Sequence, residues 1–150
     1  MPGHRFAFLI HRAQRVLFAA IDRELKSELG VTSAQLGALY YIKRHDGCLL
    51  TDLSRGLELN NSAITGIVNR MLRTGLVCKH RSPTDRRAWE VRLTERGLAI
   101  TEQSRPLLDA FNIRLQAGFT DAELEAAARF LDAAATRFTL RDQSNREDPL

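Results

Sequence analysis

Apolar residues recur at three-and-four spacing from the start of the chain. Phe6, Leu9, Ile10, Ala13, Leu17, Ala20 and Ile21 form a broad stripe that predicts one long helix over residues 5–29. A second line, Phe8, His11, Arg15, Phe18, Asp22 and Leu25, flanks the first. A helix apolar on more than one side packs against more than one neighbour, and Gly30 is well placed to stop it. Thr32-Ser33-Ala34-Gln35 fits a capping box, in which threonine and glutamine satisfy each other's free backbone donors. The helix it opens carries Leu36, Leu39, Tyr40 and Ile42 and ends before Asp46-Gly47.

The pattern then tightens. Cys48-Leu49-Leu50 is long enough for a small strand, and Thr51 is expected to cap a short helix from Asp52 to about Leu57. Asn60 reads as the cap of a helix over about 61–74, stopped by Gly75 and buried through Ile64, Ile67 or Val68, Met71 and Leu72. Residues 76–81 and 89–93 alternate apolar and polar, the period-2 mark of two strands, and 82–88 connect them as an exposed hairpin loop. Thr94 caps a helix to about Ala117, with Pro106 expected to kink it or mark a boundary. Thr120 to Glu123 forms a second capping box, opening a final helix to about Phe138. The tail, Arg141 to Leu150, has no periodicity and is expected to be disordered. There is no internal repeat and no low-complexity linker.

Helix, strand, helix, tight turn, helix and two-stranded hairpin, in that order, describe a winged helix-turn-helix. The expected fold is mainly α with a small β-wing. Residues 1–140 form one domain, with the winged helix-turn-helix over about 33–97. The helices over about 5–30 and 98–140 are left for dimerisation. They carry more apolar surface than a small winged domain can bury, and Phe6, Phe8, Ile10, Leu107, Phe111, Leu115, Phe130, Leu131 and Phe138 are the candidate interface residues.

Charge sharpens the picture. The chain carries a net +4, which alone is a weak pointer. Residues 53–97, however, hold nine Arg or Lys against four acids, and the rest of the chain is close to neutral. A segregated positive excess points to nucleic acid. In a winged helix-turn-helix the second helix enters the major groove, so its outer face must hydrogen-bond. Asn61, Ser62, Thr65, Asn69, Arg70 and Arg73 are the candidates there, with Asn61, Thr65 and Asn69 at four-residue spacing on one face. Asn pairs bidentately with adenine, Ser and Thr serve base or phosphate, and Arg suits guanine or phosphate. The bland alternative is a solvated amphipathic helix.

The stretch Leu53 to Gly97 contains Leu53-Ser54, Asn60-Asn61-Ser62, Arg70, Gly75-Leu76-Val77, Ser82-Pro83-Thr84-Asp85-Arg86-Arg87 and Leu93-Thr94-Glu95-Arg96-Gly97. It resembles the MarR family of transcriptional regulators, and the long first helix and the two C-terminal helices extend the likeness over nearly the whole chain. The resemblance implies that a wing arginine enters the minor groove, a role that Arg87 fits best. Arg86 would contact a phosphate or brace the wing, and Asp85 would hold its shape through a charge-assisted pair. A narrow A·T-rich minor groove concentrates negative potential and attracts arginine. Two positions depart from the family pattern. Many relatives have a glycine in the inter-helix turn where this chain has Glu58, with Gly56 earlier, and a basic residue is common at Gly66.

The resemblance also implies a homodimer on a pseudo-palindromic site in double-stranded DNA and a small-molecule effector, often an aromatic acid or phenolic. His11, Arg15, Tyr40, Tyr41, His45 and Trp89 are the polar-tipped or cationic groups suited to such a pocket. Arg15 beside Phe8 and Phe18 suits a carboxylate, and equally a salt bridge to Asp22 or Glu24. The resulting expectation is a regulator, most simply a repressor released by its effector; the alternative is a winged module used only for protein–protein contact.

The remaining chemistry is sparse. Cys48 and Cys78 sit on expected strands among apolar neighbours, so structural burial is expected of both. His45 and Cys48 alone make a poor metal site. Four scattered histidines, no Gly-rich phosphate loop and no nucleophile–base pair imply no enzyme and no cofactor. The start, Met1-Pro2-Gly3-His4-Arg5, lacks the features of a signal peptide, and no run of about 18 apolar residues can span a bilayer. A cytoplasmic protein is expected.

Overall fold

The first apolar stripe forms α1 (Phe6–Leu29), which ends on Gly30. The apolar positions of the two lines on this helix are buried unevenly. Leu25 is buried, whereas Phe6, Phe8, Leu9, Ile10 and Phe18 remain 36–66% exposed. The computed structural model describes residues 5–144, with side chains described through Phe138.

In α2 (Ser33–Arg44), Thr32 Oγ1 accepts from the Gln35 amide at 3.1 Å and Gln35 Oε1 accepts from the Thr32 amide at 3.0 Å, the reciprocal cap read from the sequence. Asp22 of α1 adds a third acceptor, taking the Ser33 amide at 2.6 Å, so the α1–α2 corner is tied through the backbone of the next helix. Strand β1 (Cys48–Leu49) follows, and α3 (Leu50–Gly56) begins two residues earlier than the expected start at Asp52 after a Thr51 cap. The cause is Asp52, whose carboxylate accepts from the Leu49 amide at 3.0 Å and so closes the first turn from inside the helix. Thr51 is an ordinary helical residue.

Helix α4 (Asn61–Arg73) opens on Asn60, whose side chain accepts from the Ala63 amide at 2.8 Å. Both Ile67 and Val68 are buried with Ile64 and Met71, while Leu72 is half-buried against them. Strands β2 (Val77–Arg81) and β3 (Trp89–Leu93) form an antiparallel ladder running from Val77 opposite Leu93 to Arg81 opposite Trp89. Strand β1 adds to the other edge of β3, pairing Cys48 with Val91, so the sheet order is β1-β3-β2.

The core gathers residues from every one of these elements, among them Leu25, Leu39, Ile42, Leu53, Ile64, Val68, Met71 and Val91, all nearly inaccessible. Each such side chain contributes about 1.5–3 kcal/mol relative to an exposed one. Gly56 belongs to this packing because of close approach: a Cβ there would lie 2.0 Å from the Tyr41 ring.

Helix α5 (Glu95–Gln116) starts where Thr94 Oγ1 accepts from the Gly97 amide at 3.1 Å. It runs unbroken through Pro106, which therefore marks no helix boundary. Pro106 and Glu102, whose carbonyl loses its usual amide partner, are both exposed residues. The chain forms two compact units, the first ending at Asp109 and the second beginning at Ala110, within α5. In the first, the Tyr40 hydroxyl donates to the Thr101 carbonyl or shares a proton with Ser104 Oγ, each at 2.9 Å, which satisfies polar groups buried against α2. Leu107 is half-buried against the first unit's core.

In the second unit, Glu123 and Thr120 cap each other as expected, and α6 (Asp121–Ser144) continues six residues past Phe138. Residues 141–144, assigned to the tail from sequence, are therefore helical; the rest of the expected disordered tail lies outside the described residues. Phe111 is half-buried, and Leu115, Phe130, Leu131 and Phe138 are 40–71% exposed. No helix among the described residues is long and apolar enough to cross a membrane.

Candidate nucleic-acid interface

The turn between α3 and α4 decides how α4 is presented. The Leu59 amide donates to the Ser54 carbonyl at 3.0 Å and the Glu58 amide to the Arg55 carbonyl at 3.3 Å. That pair of bonds is a Schellman motif, whose penultimate position requires left-handed backbone. Glu58 supplies it with φ of +53°, so the turn forms without a glycine there. The end of α4 repeats the motif with Gly75 at φ +71°: Leu76 donates to Met71 and Gly75 to Leu72. The Ser54 hydroxyl adds a bond to the Leu59 carbonyl at 2.6 Å, locking the turn from its other strand.

Held in this way, α4 buries Ile64, Ile67, Val68 and Met71 and turns Asn61, Ser62, Thr65, Asn69, Arg70 and Arg73 outward, all exposed. The Thr65 hydroxyl donates to the Asn61 carbonyl at 2.8 Å, which fixes its rotamer and leaves its oxygen as an acceptor. Arg70 lies back along the helix, Nε donating to the Gly66 carbonyl at 3.2 Å. Gly66, Asn69, Arg70, Leu72 and Arg73 line a hollow on this side of α4.

The wing tip is built from short bonds within the loop. The Ser82 amide donates to the Ala88 carbonyl and the Ala88 amide to the Asp85 carbonyl, each at 3.0 Å. Asp85 Oδ1 accepts from the Arg87 amide at 2.9 Å. The carboxylate therefore braces the tip through the backbone, and the charge-assisted pair with a wing guanidinium implied by the family resemblance is absent among the described residues. Sequence reasoning overlooked two contributors. Ser82 is buried and its hydroxyl accepts from the Thr84 and Asp85 amides, each at 3.4 Å. Arg81 lies over the Trp89 ring, 4.4 Å from its centroid, and donates through Nη1 to the Arg86 carbonyl. Counting the register back from the hairpin loop would have revealed the second, since a seven-residue loop over 82–88 sets 81 opposite 89.

The central positive segment divides accordingly. Arg92 is paired to Asp46 at 3.1 Å and Glu90 at 3.3 Å, and Arg96 donates to the Thr74 carbonyl at 2.8 Å. Among the described residues, the side chains of Arg55, Arg73, Lys79, Arg86 and Arg87 make no hydrogen bond or ion pair. The available cations thus lie on α3, α4, β2 and the wing tip.

Four of the six effector candidates have structural partners. Tyr40 is bonded to α5, Tyr41 stacks on His45 with ring centroids 4.3 Å apart, and Trp89 carries Arg81. His11 and Arg15 stand exposed on α1, and Arg15 makes no ion pair with Asp22 among the described residues. Cys48 is buried, and burial together with the nearby Asp52 and Asp46 carboxylates pushes its thiol up to about 11. Cys78 departs from expectation: it is only half-buried, with Sγ 3.3 Å from His80 Nε2. No group of three or more metal-ligating side chains gathers among the described residues.

Comparison with known proteins agrees with this geometry. The family model described as MarR family matches residues 29–88, from the end of α1 through the wing tip. A putative transcriptional regulatory protein for the hcr operon of Thauera aromatica is 30% identical over 91 residues, 61% of this chain and 55% of that protein. The chain thus spans little more than half the length of that relative. The HTH-type transcriptional repressor MdtR of Bacillus subtilis is 27% identical over 122 residues, 79% of each chain. A crystal structure of a mutant MarR from E. coli complexed with operator DNA is 26% identical with a TM-score of 0.81, over 87% of this chain and 94% of that one. The Schellman turn that presents α4 and the Asp85-capped wing both lie within residues 29–88, the part of the chain over which it is similar to the MarR family.

Proposed function

We propose that this protein is a sequence-specific transcriptional regulator, a repressor, that binds duplex DNA as a homodimer in the cytoplasm. The observation that carries this reading is the exposed polar face of α4 beside a hairpin tip whose Arg86 and Arg87 side chains have no partner among the described residues. Asn61, Thr65 and Asn69 face the base edges of the major groove, and Ser62, Arg70 and Arg73 flank them toward the phosphates. Arg87 enters the neighbouring minor groove and Arg86 meets a phosphate. Twofold pairing doubles a short recognition element, and the exposed Phe6, Phe8, Leu131 and Phe138 supply apolar surface for it. The role involves no catalytic step. Its effector is a small aromatic acid, for whose carboxylate Arg15 and His11 stand exposed along the line of Phe8 and Phe18.

Titration of the purified protein on duplex fragments from the DNA flanking its coding region, at several salt concentrations, tests the reading. A log–log slope of about −0.9 per neutralised phosphate, with several phosphates involved, supports it. No binding to any fragment at low salt overturns it in favour of a protein-contact module.

A further inference from the structure

Arg81 is the last residue of β2 and faces Trp89, the first residue of β3, across the end of the ladder. Its guanidinium lies 4.4 Å from the indole centroid, inside the range of a cation–π contact, and its Nη1 donates to the Arg86 carbonyl. One planar group thus joins the last rung of the ladder to the tip of the loop. No carboxylate pairs with it among the described residues, and Trp89 is 41% exposed, so the ring contributes little to the core. A large aromatic at the loop end of a two-stranded ladder is accounted for by the cation it carries.

We propose that Arg81 is a positioning residue for the wing: stacked on Trp89, it holds the Arg86 carbonyl and fixes the backbone from which Arg86 and Arg87 project, without itself contacting DNA. The bond to the Arg86 carbonyl complements the one that Asp85 accepts from the Arg87 amide, so the two sides of the same peptide unit are held from opposite directions. Guanidinium geometry is essential here, because a lysine ammonium cannot lie flat on the indole and reach the carbonyl through a second nitrogen. The alternative role for an arginine at this place is a direct phosphate contact, and the two roles differ in what they leave measurable.

The inference about DNA rests on the function proposed above, and the free protein gives an independent readout. In the unliganded protein, amide exchange at Arg86, Arg87 and Ala88 is expected to speed up about tenfold in Arg81→Met and in Trp89→Leu, and to stay near wild type in Trp89→Tyr, which keeps a ring. On DNA, Arg81→Met and Trp89→Leu are each expected to lose about tenfold in affinity, the double variant to lose no more than either single one, and the salt slope to stay unchanged. Arg81→Lys is expected to behave like Arg81→Met. Wild-type exchange rates in Arg81→Met overturn the proposal whatever happens on DNA. So does wild-type affinity in Arg81→Lys, or a salt slope reduced by about one in Arg81→Met with Trp89→Leu harmless, since both outcomes assign a phosphate contact. Failure of the wild type to bind any duplex overturns the proposed function, while the exchange rates still decide whether Arg81 braces the tip. Melting curves within a few degrees of wild type confirm that the variants are folded.

Discussion

Asp85 holds Arg87 by its backbone: the carboxylate Oδ1 accepts the Arg87 amide at 2.9 Å, leaving the Arg87 guanidinium without a partner among the described residues. The acid at the tip of a basic hairpin therefore shapes the turn and neutralises neither arginine by direct pairing. An aspartate accepting from the amide two residues on is an Asx-turn, a conformation that asparagine supports equally well.

Asp85→Asn is accordingly expected to keep DNA affinity within about threefold of wild type, whereas Asp85→Ala is expected to lose about tenfold, with under about 1 kcal/mol of stability lost by either. Fluorescence anisotropy on a labelled duplex and thermal melting check this. Equal loss in both variants would show that charge, and not the backbone cap, is what matters.

Glu58 and Gly75 occupy the same position in two Schellman motifs, and only one of them is suited to it. A left-handed conformation costs a residue bearing a Cβ about 1–2 kcal/mol. Glu58→Gly is thus expected to stabilise the protein by about 1 kcal/mol, or roughly 2–4 °C in Tm for a chain of this size, after the entropy cost of added glycine freedom. Glu58→Ala keeps the strain and is expected to leave Tm unchanged. An equal rise in both would remove strain as the cause.

The two cysteines are expected to separate by reactivity. Cys48 is buried and its thiol is pushed up to about 11, so at pH 8 it stays protonated, while half-buried Cys78 is alkylated first. Mass spectrometry after brief iodoacetamide treatment should find the label on Cys78, and both thiols labelled once denaturant is added. The folded state holds the Cys48 proton more tightly than the unfolded chain, so this contribution is complete below about pH 9 and is lost as pH rises toward 11. Labelling of Cys48 at the rate of Cys78 in the native protein would contradict the burial.

Much of this was legible in sequence because it is local. The Thr32–Gln35 and Thr120–Glu123 boxes, the Asn60 cap and the alternation of 77–81 and 89–93 each depend on residues within a few positions. The errors came from choices between neighbours. Asp52 outcompetes Thr51 as a cap because its carboxylate reaches back to Leu49, and Pro106 sits at an exposed position inside α5 without ending it. At the candidate site, residue type marked the outward face of α4, but the wing's internal bonds were beyond reach: the choice between an amide and a guanidinium as the partner of Asp85 is a matter of ångströms. For the effector candidates, residue type could not reveal that Tyr40, Tyr41 and Trp89 each have a partner within the fold.

Specificity is expected to reside on α4. Asn61→Ala or Thr65→Ala should change which bases are preferred, by about 1–3 kcal/mol at one position of the site, while leaving the salt slope intact. Selection from a randomised duplex pool checks this, and uniform weakening on every sequence would reassign both residues to phosphate contacts.

The most direct measurement of the central claim is a pair of footprints on one duplex, wild type beside Arg87→Ala, read by hydroxyl radical for the backbone and by methylation for guanine N7 in the major groove. The expected result is two half-sites about one helical turn apart, with Arg87→Ala losing the flanking minor-groove protection and keeping the major-groove protection. Identical footprints from the two proteins, or no protection by the wild type, would contradict a wing that places Arg87 in the minor groove beside α4.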